Sequence, residues 1–173
     1  MATNITQLTP AQREFRAAMA NLSAGVNIVT TDGPRGRAGI TVSAVCSVTD
    51  APPTMLVCVN RSSRSHDILQ SNERVCINVL GPEHQDVALA FAGGVPAKER
   101  FSVSGDMWDH SVAAVPVLKG SAASIVGRIT GSATRGSHSV LFVEVDRVIV
   151  GEYSGGLVYF QRRFHPINAP LSA

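Results

Sequence analysis

Charge is scarce in this chain. Only 16% of its 173 residues are Asp, Glu, Lys or Arg, and the net charge of +2 comes from scattered cations without a basic run. Nucleic acid is therefore not an expected partner, since binding to phosphates needs clustered Lys and Arg. Cysteine is sparse as well. Cys46, Cys58 and Cys76 stand singly in apolar segments, with no Cys-x-x-Cys or Cys/His spacing that would hold a metal. They read as small core residues of a protein kept in a reducing compartment. No apolar run reaches the roughly 18 residues of a membrane span, and the opening MATNITQLTPAQREF lacks the charged start and apolar centre of a leader. The expectation is a cytoplasmic protein with no membrane contact. Phosphate loops of the dinucleotide and nucleoside triphosphate types are missing, as is a nucleophile elbow with its Ser/His/Asp set. Neither zinc or iron spacing nor paired carboxylates appear, so the chain offers no constellation of its own for hydrolysis or metal chemistry.

What is present is a chain with 45% apolar residues, long enough for one domain (1–173) with a sizeable core. The stretch GITVSAVCSVTDAPPTMLVCVN, from Gly39 to Asn60, organises it. Asp50-Ala51-Pro52-Pro53 is a turn signal between two strands. Before it, Thr41, Ser43, Ser47 and Thr49 alternate with Val42, Ala44, Cys46 and Val48, which gives one strand an apolar face and a hydroxyl face. That face is either the solvent side of an antiparallel sheet or a cradle of small neutral donors for a phosphate-bearing or carbonyl-rich ligand. After the turn, TMLVCV reads as a strand buried on both sides.

Elsewhere, Thr9-Pro10 opens a helix whose stripe Phe15, Ala18, Met19 and Leu22 is expected to pack in the core. Residues 26–31 and 37–49 should pair as a hairpin across Asp32–Gly36. Asn60–His66, NRSSRSH, is a donor-rich loop before a helix starting at Asp67; it suits an anion or is a solvated connector. GPEHQDVALAFAG is helical, and His138 follows a Gly-Ser turn ahead of the strand VLFVEV. A lone histidine there is either structural or projects from the strand's mouth toward a ligand. About six or seven strands with two or three short helices and no βαβ rhythm give a mainly β, antiparallel barrel with peripheral helices. Neutral hydroxyls, isolated histidines and scattered arginines are a set that binds a cofactor and leaves the chemistry to it.

FRAAMANLSAGVNIVTT, the central hairpin with its Pro-Pro turn, PVLKGSAAS, RGSHSVLFVEV and GLVYFQRRFHPI together resemble the short-chain flavin reductases, whose fold is the FMN-binding split barrel. The likeness runs from about Arg13 to about Ile167, with the ending YFQRRFHP pointing to the reductase components of two-component 4-hydroxyphenylacetate 3-monooxygenases. The resemblance implies an antiparallel split β-barrel with flexible ends at residues 1–10 and 167–173. It implies an NAD(P)H:flavin oxidoreductase of aromatic catabolism, passing hydride from nicotinamide C4 to flavin N5 and supplying reduced FAD or FMN to a separate oxygenase. NADH is favoured over NADPH, because no basic pocket for a ribose 2′-phosphate is evident. A homodimer is implied too. Two alternatives stay open: the same reductase serving a phenol or chlorophenol monooxygenase, and a non-catalytic flavin- or haem-binding split-barrel protein.

Carried over by position, Thr41, Val42, Ser43 and Ala44 would line the isoalloxazine edge, largely through backbone groups. Ser47 and the loop Asn60, Ser62, Ser63, Arg64 and His66 would hold the ribityl chain and phosphate, with Lys98 and Arg100 near that phosphate. His138, in Gly-Ser-His, would position the nicotinamide, with Phe164 and the neighbouring tail residues covering that side. Ser137 stands where many relatives of that type carry Asp, so a role needing negative charge there does not carry over.

Overall fold

The computed structural model describes residues 8–152 and 155–168. Thr9 caps the first helix, α1 (Pro10–Met19), by a reciprocal pair of bonds: Gln12 N–H donates to Thr9 Oγ1 and Thr9 N–H to Gln12 Oε1. Its apolar stripe does not enter the core. No residue of α1 is buried, and Phe15 and Leu22 are 64% and 65% exposed. The helix is moored by its C-terminal end, where Gln161 N–H donates to Ala20 O, so it lies on the barrel rather than in it.

The chain then runs through β1 (Ala24–Gly25), β2 (Asn27–Thr31), β3 (Ala38–Val42), β4 (Val45–Asp50) and β5 (Pro53–Asn60). Next come α2 (Arg64–Asn72), β6 (Arg74–Val79), α3 (Gln85–Leu89), α4 (Arg100–Val103), β7 (Trp108–Asp109) and β8 (Val117–Leu118). Two long strands, β9 (Ala123–Arg135) and β10 (His138–Val150), precede the hairpin β11 (Gly155–Phe160) and β12 (Arg163–Asn168). Of the ends expected to be flexible, residues 1–7 and 169–173 lie outside the described residues. Pro10 begins α1, and Ile167 and Asn168 complete β12.

β2 and β3 pair as expected, but the anticipated strand through Thr49 is two strands. It breaks at Ser43–Ala44. The main sheet has the order β3-β2-β6-β9-β10-β5-β4 with every pairing antiparallel, so β3 and β4 are its opposite edges. Six strand spacings of about 4.8 Å would hold the edges of a flat sheet roughly 29 Å apart. The three peptide steps from Val42 to Val45 reach about 11 Å at most. The sheet must therefore curl until its edges meet, and Cys58 N–H donates to Ala44 O, which carries the β4–β5 pairing up to the break. This is the split barrel, flanked by the small sheet β1-β11-β12.

Inside, Val57, Val59, Leu69, Ile77 and Leu141 fill the barrel. Phe91, Phe101 and Trp108 cluster under α3 and α4 with ring centroids 5.0–5.2 Å apart. β5 is buried on one face only. Val57 and Val59 point inward, while Leu56 and Cys58 are half-exposed, because no helix among the described residues packs closely on the outer side of this strand. The cysteines separate on the same rule: Cys76 is buried, Cys58 half-buried, and Cys46, expected in the core, is exposed on the edge strand β4. Asn78 is wholly buried and ties four segments together. Its Oδ1 accepts from Leu118 N–H and Ser124 Oγ–H, and its Nδ2 donates to Ile28 O and Thr30 Oγ1.

Candidate active site

The break at Ser43–Ala44 opens a cleft. The carbonyls of both residues are taken, by Val45 N–H and Cys58 N–H, but neither N–H donates to a backbone carbonyl among the described residues. Two backbone donors are thus left at the seam, where ring carbonyls or ring nitrogens of a ligand can accept from them. Thr41, Val42 and Ser43 line a cleft of about 370 Å³ whose other walls include Tyr159, Arg162 and Phe164. Tyr159 and Phe164 lie with centroids 5.2 Å apart at 60°, an aromatic wall against which a flat ligand can pack. The Thr41 hydroxyl is occupied, donating to Ala88 O at 2.7 Å, so this residue meets a ligand through its backbone. Ala44, with Ser43, Tyr159 and Arg162, borders a larger adjoining cleft of about 760 Å³ beneath α1.

A second feature lies at the far end of β3. Gly39 O accepts from Ser65 Oγ–H and from Arg100 Nη1, both at 2.9 Å. The Arg100 Nε is buried without a hydrogen-bond partner. Burial, and after it the neighbouring Arg64 charge, push the Arg100 guanidinium below its ordinary range. Neither arginine is ion-paired among the described residues. Two neighbouring cations, one of them with a stranded donor, form an arrangement that a phosphate completes. The residues present therefore fit a phosphorylated flavin: unpaired backbone N–H groups and an aromatic wall at one end of β3, and a cation pair at the other.

The loop and the histidine turn are brought together. In the antiparallel register His138 stands opposite Asn60, and Arg61 N–H donates to Ser137 O. Gly136, with φ of +53°, takes the left-handed position of that turn, which glycine adopts at least cost. His138 is exposed, with Nδ1 2.9 Å from Ser137 Oγ. The loop itself is shorter than expected, because α2 starts at Arg64 rather than Asp67. Ser63 caps the helix, its Oγ accepting from Ser65 N–H, and Ser62 donates through N–H and Oγ to Asn60 Oδ1. These hydroxyls are partly committed to building the turn.

Other expected residues are placed apart. His66 is buried in α2 with both ring nitrogens engaged, Nδ1 2.7 Å from Asp67 Oδ1 and Nε2 2.9 Å from Ser139 Oγ, and it clips α2 to β10. Ser47 is exposed on β4 opposite Met55, outside the lining of the two joined clefts. Lys98 lines a separate cleft of about 480 Å³ with Arg37 and Phe101, where Arg37 sits 5.5 Å from the ring centroid. Tyr159 and Arg162 were not singled out from the sequence. Their signal is the basic-aromatic tail YFQRRFHP, which points to Phe164 and its neighbours in the tail without naming these two.

The model of the flavin reductase like domain matches residues 19–168 of the chain. The 4-hydroxyphenylacetate 3-monooxygenase reductase component of Pseudomonas aeruginosa is 47% identical over 171 residues, covering 98% of this chain and 99% of the relative. An FMN reductase (NADH) RutF of Yersinia enterocolitica is 46% identical, covering 90% of this chain and 85% of its own. Among solved structures, a flavin reductase domain protein from Arthrobacter sp. FB24 superposes with a TM-score of 0.81 at 28% identity, covering 93% of this chain and 98% of that one.

Proposed function

The chain belongs to the flavin reductase family and is an NAD(P)H:flavin oxidoreductase, and from that premise we propose that it uses NADH to reduce FAD or FMN for a separate 4-hydroxyphenylacetate-type monooxygenase. The observation that supports the reading is the seam at Ser43–Ala44, where free N–H groups and the Tyr159/Phe164 wall stand beside a cleft, with the Arg64/Arg100 pair farther along β3. Bound flavin supplies the hydride acceptor. The protein's own part is to place it: Thr41–Ala44 bind the ring edge through backbone groups, and Arg64 and Arg100 hold the phosphate with the Ser63 hydroxyl, which accepts at the cap of α2 and keeps its own hydrogen to donate. His138 positions the nicotinamide from the turn beside Asn60. No side chain needs to act as a strong acid or base, because the transfer is governed by ring stacking and orientation.

The 46% identity to an FMN reductase (NADH) favours a second reading, in which the activity is the same but the oxygenase served is a different one. A homodimer in the cytoplasm fits both readings. The exposed Phe15, on α1 but outside the lining of the larger cleft, is apolar surface that a second subunit would cover, and no helix among the described residues is long and apolar enough to cross a membrane. The test is NADH oxidation at 340 nm by the purified protein with and without FMN, FAD or riboflavin. Rapid oxidation only when flavin is supplied is expected. A protein that stays coloured through purification and does not oxidise NADH would overturn the reading. His138→Ala should raise the KM for NADH or lower kcat with flavin affinity unchanged, and an equal loss of flavin binding would remove His138 from the nicotinamide side.

A further inference from the structure

The larger cleft beneath α1 holds three guanidiniums that the flavin reading does not use. Arg13 and Arg16 stand one helical turn apart on α1, and Arg162 faces them from the β11–β12 turn. No carboxylate lines this cleft, and none of the three arginines is ion-paired among the described residues. Arg162 is also held in an unusual way. Gln161 and Arg162 form the two-residue turn between Phe160 and Arg163 with φ of +49° and +62°. Such turns favour Asn and Gly, so two long side chains there are strained. The Gln161 N–H bond to Ala20 O, 2.7 Å long, pins the turn against the end of α1. Arg162, pinned with this turn, lines both clefts and so stands on their boundary.

From this placement we infer that Arg162, with Arg13 and Arg16, binds the diphosphate of the nicotinamide dinucleotide. The inference rests on the reading that places flavin at Thr41–Ala44. Both substrates are anions, and sharing one cation cluster would set their phosphates against each other. The chain carries two clusters at separate places: Arg64 with Arg100 beside Gly39, and Arg13, Arg16 and Arg162 beside Ser43 and Tyr159. A nicotinamide ring entering the small cleft along the Tyr159/Phe164 wall brings its diphosphate to the boundary where Arg162 lies. The adenylate half then occupies the larger cleft, whose volume of about 760 Å³ exceeds what a ring alone needs. Arginine suits the task because its planar fork meets phosphate oxygens two at a time.

The experiment is equilibrium binding of NADH to flavin-free protein, followed by NADH fluorescence, beside FMN binding followed by flavin quenching. The proteins are the wild type, Arg162→Gln and the double variant Arg13→Gln/Arg16→Gln. Each variant should raise the NADH dissociation constant at least tenfold and leave that for FMN within twofold. Salt should weaken NADH binding more steeply in the wild type than in the variants. In turnover, the KM for NADH should rise while that for reduced nicotinamide mononucleotide, which lacks the diphosphate, changes little. Unchanged NADH binding in both variants, with FMN binding intact, overturns the diphosphate site alone. Parallel loss of FMN binding also overturns it and gives these cations to the flavin. A wild-type protein that binds neither NADH nor FMN overturns the functional reading as well.

Discussion

Replacing Arg100 by Met should leave stability nearly unchanged while costing flavin affinity, a combination that separates a ligand-binding cation from a structural one. In the flavin-free protein Arg100 gains one bond, Nη1 to Gly39 O at 2.9 Å, and a hydrogen bond from a charged donor contributes about 1.5–3 kcal/mol. Against this stands the buried, unpartnered Nε, which costs about 1–3 kcal/mol, and the added repulsion from Arg64. Gly39 O keeps a second donor, Ser65 Oγ, so the substitution does not strand it. The methionine stem retains most of the apolar packing. The net change in unfolding free energy should lie within about 1 kcal/mol of zero. A phosphate at the site would lose a charge-assisted bond and a cation, about 1–3 kcal/mol or roughly 5- to 150-fold in dissociation constant. The assay is FMN and riboflavin binding by fluorescence quenching, with urea unfolding on the same samples. FMN affinity should fall and riboflavin affinity, with no phosphate to lose, should not. Equal losses for both flavins, or no loss for either, would refute the assignment. A fall in stability beyond about 3 kcal/mol with FMN binding intact would make Arg100 a structural residue.

Asn78→Ala strands Leu118 N–H and Ile28 O in the core and should cost about 3–5 kcal/mol in urea unfolding; a loss under 1 kcal/mol would mean the network contributes little. His84 is buried, with Nδ1 accepting from Gly81 N–H at 3.0 Å, and burial holds its pKa below the ordinary 6.5 despite the opposing effect of Glu83. The unfolded chain therefore takes up the proton first, so this contribution to stability is present above about pH 6.5 and falls as pH drops below it toward the folded value. Unfolding midpoints at pH 7.5 and 5.5 should differ less in His84→Gln than in the wild type, and an unchanged difference would clear His84 of the effect. Thiol titration should label the exposed Cys46 first and Cys58 more slowly, its thiol raised by burial and then by Cys46. Cys76, pushed up to about 12 by burial, should react only on unfolding, and its labelling in the native protein would contradict the packing.

The residues that local spacing could reveal were the ones with a local cause. The Asp50–Pro53 turn, the Thr9-Pro10 helix start and the β2–β3 hairpin each follow from residues within a few positions of one another. The break at Ser43–Ala44 does not. Its hydroxyls continue a period of two, and no Gly or Pro marks it. It exists because seven strands must close with the edges β3 and β4 joined by two residues, a demand of the whole sheet. The stripe on α1 was legible as amphipathic, but periodicity says which residues share a face and nothing about what covers it. Cys46 and Leu56 were misread for a similar reason: an apolar run implies burial on both sides only if something lies on the second side. Ser65 and Arg100 are remote in sequence and meet at Gly39 O, which brings the Arg64 charge near Arg100, a contact no spacing encodes.

The seam also bears on how firmly a flavin would be held. A closed sheet satisfies its backbone within itself, so a ligand can use backbone donors only where pairing lapses. Here the lapse is two residues long, and the donors it leaves are neutral N–H groups, each contributing about 0.5–1.5 kcal/mol net. Two of the hydroxyls around it are already spent as donors on the protein, Thr41 on Ala88 O and Ser62 on Asn60 Oδ1. Most of the remaining polar affinity would then fall to one guanidinium pair, whose contribution salt and the missing phosphate of riboflavin would each reduce. A site built this way grips the phosphate end and only brushes the ring edge. That division leaves the ring face open to the nicotinamide and lets a flavin depart after reduction, which is what an enzyme that hands its product to another protein requires.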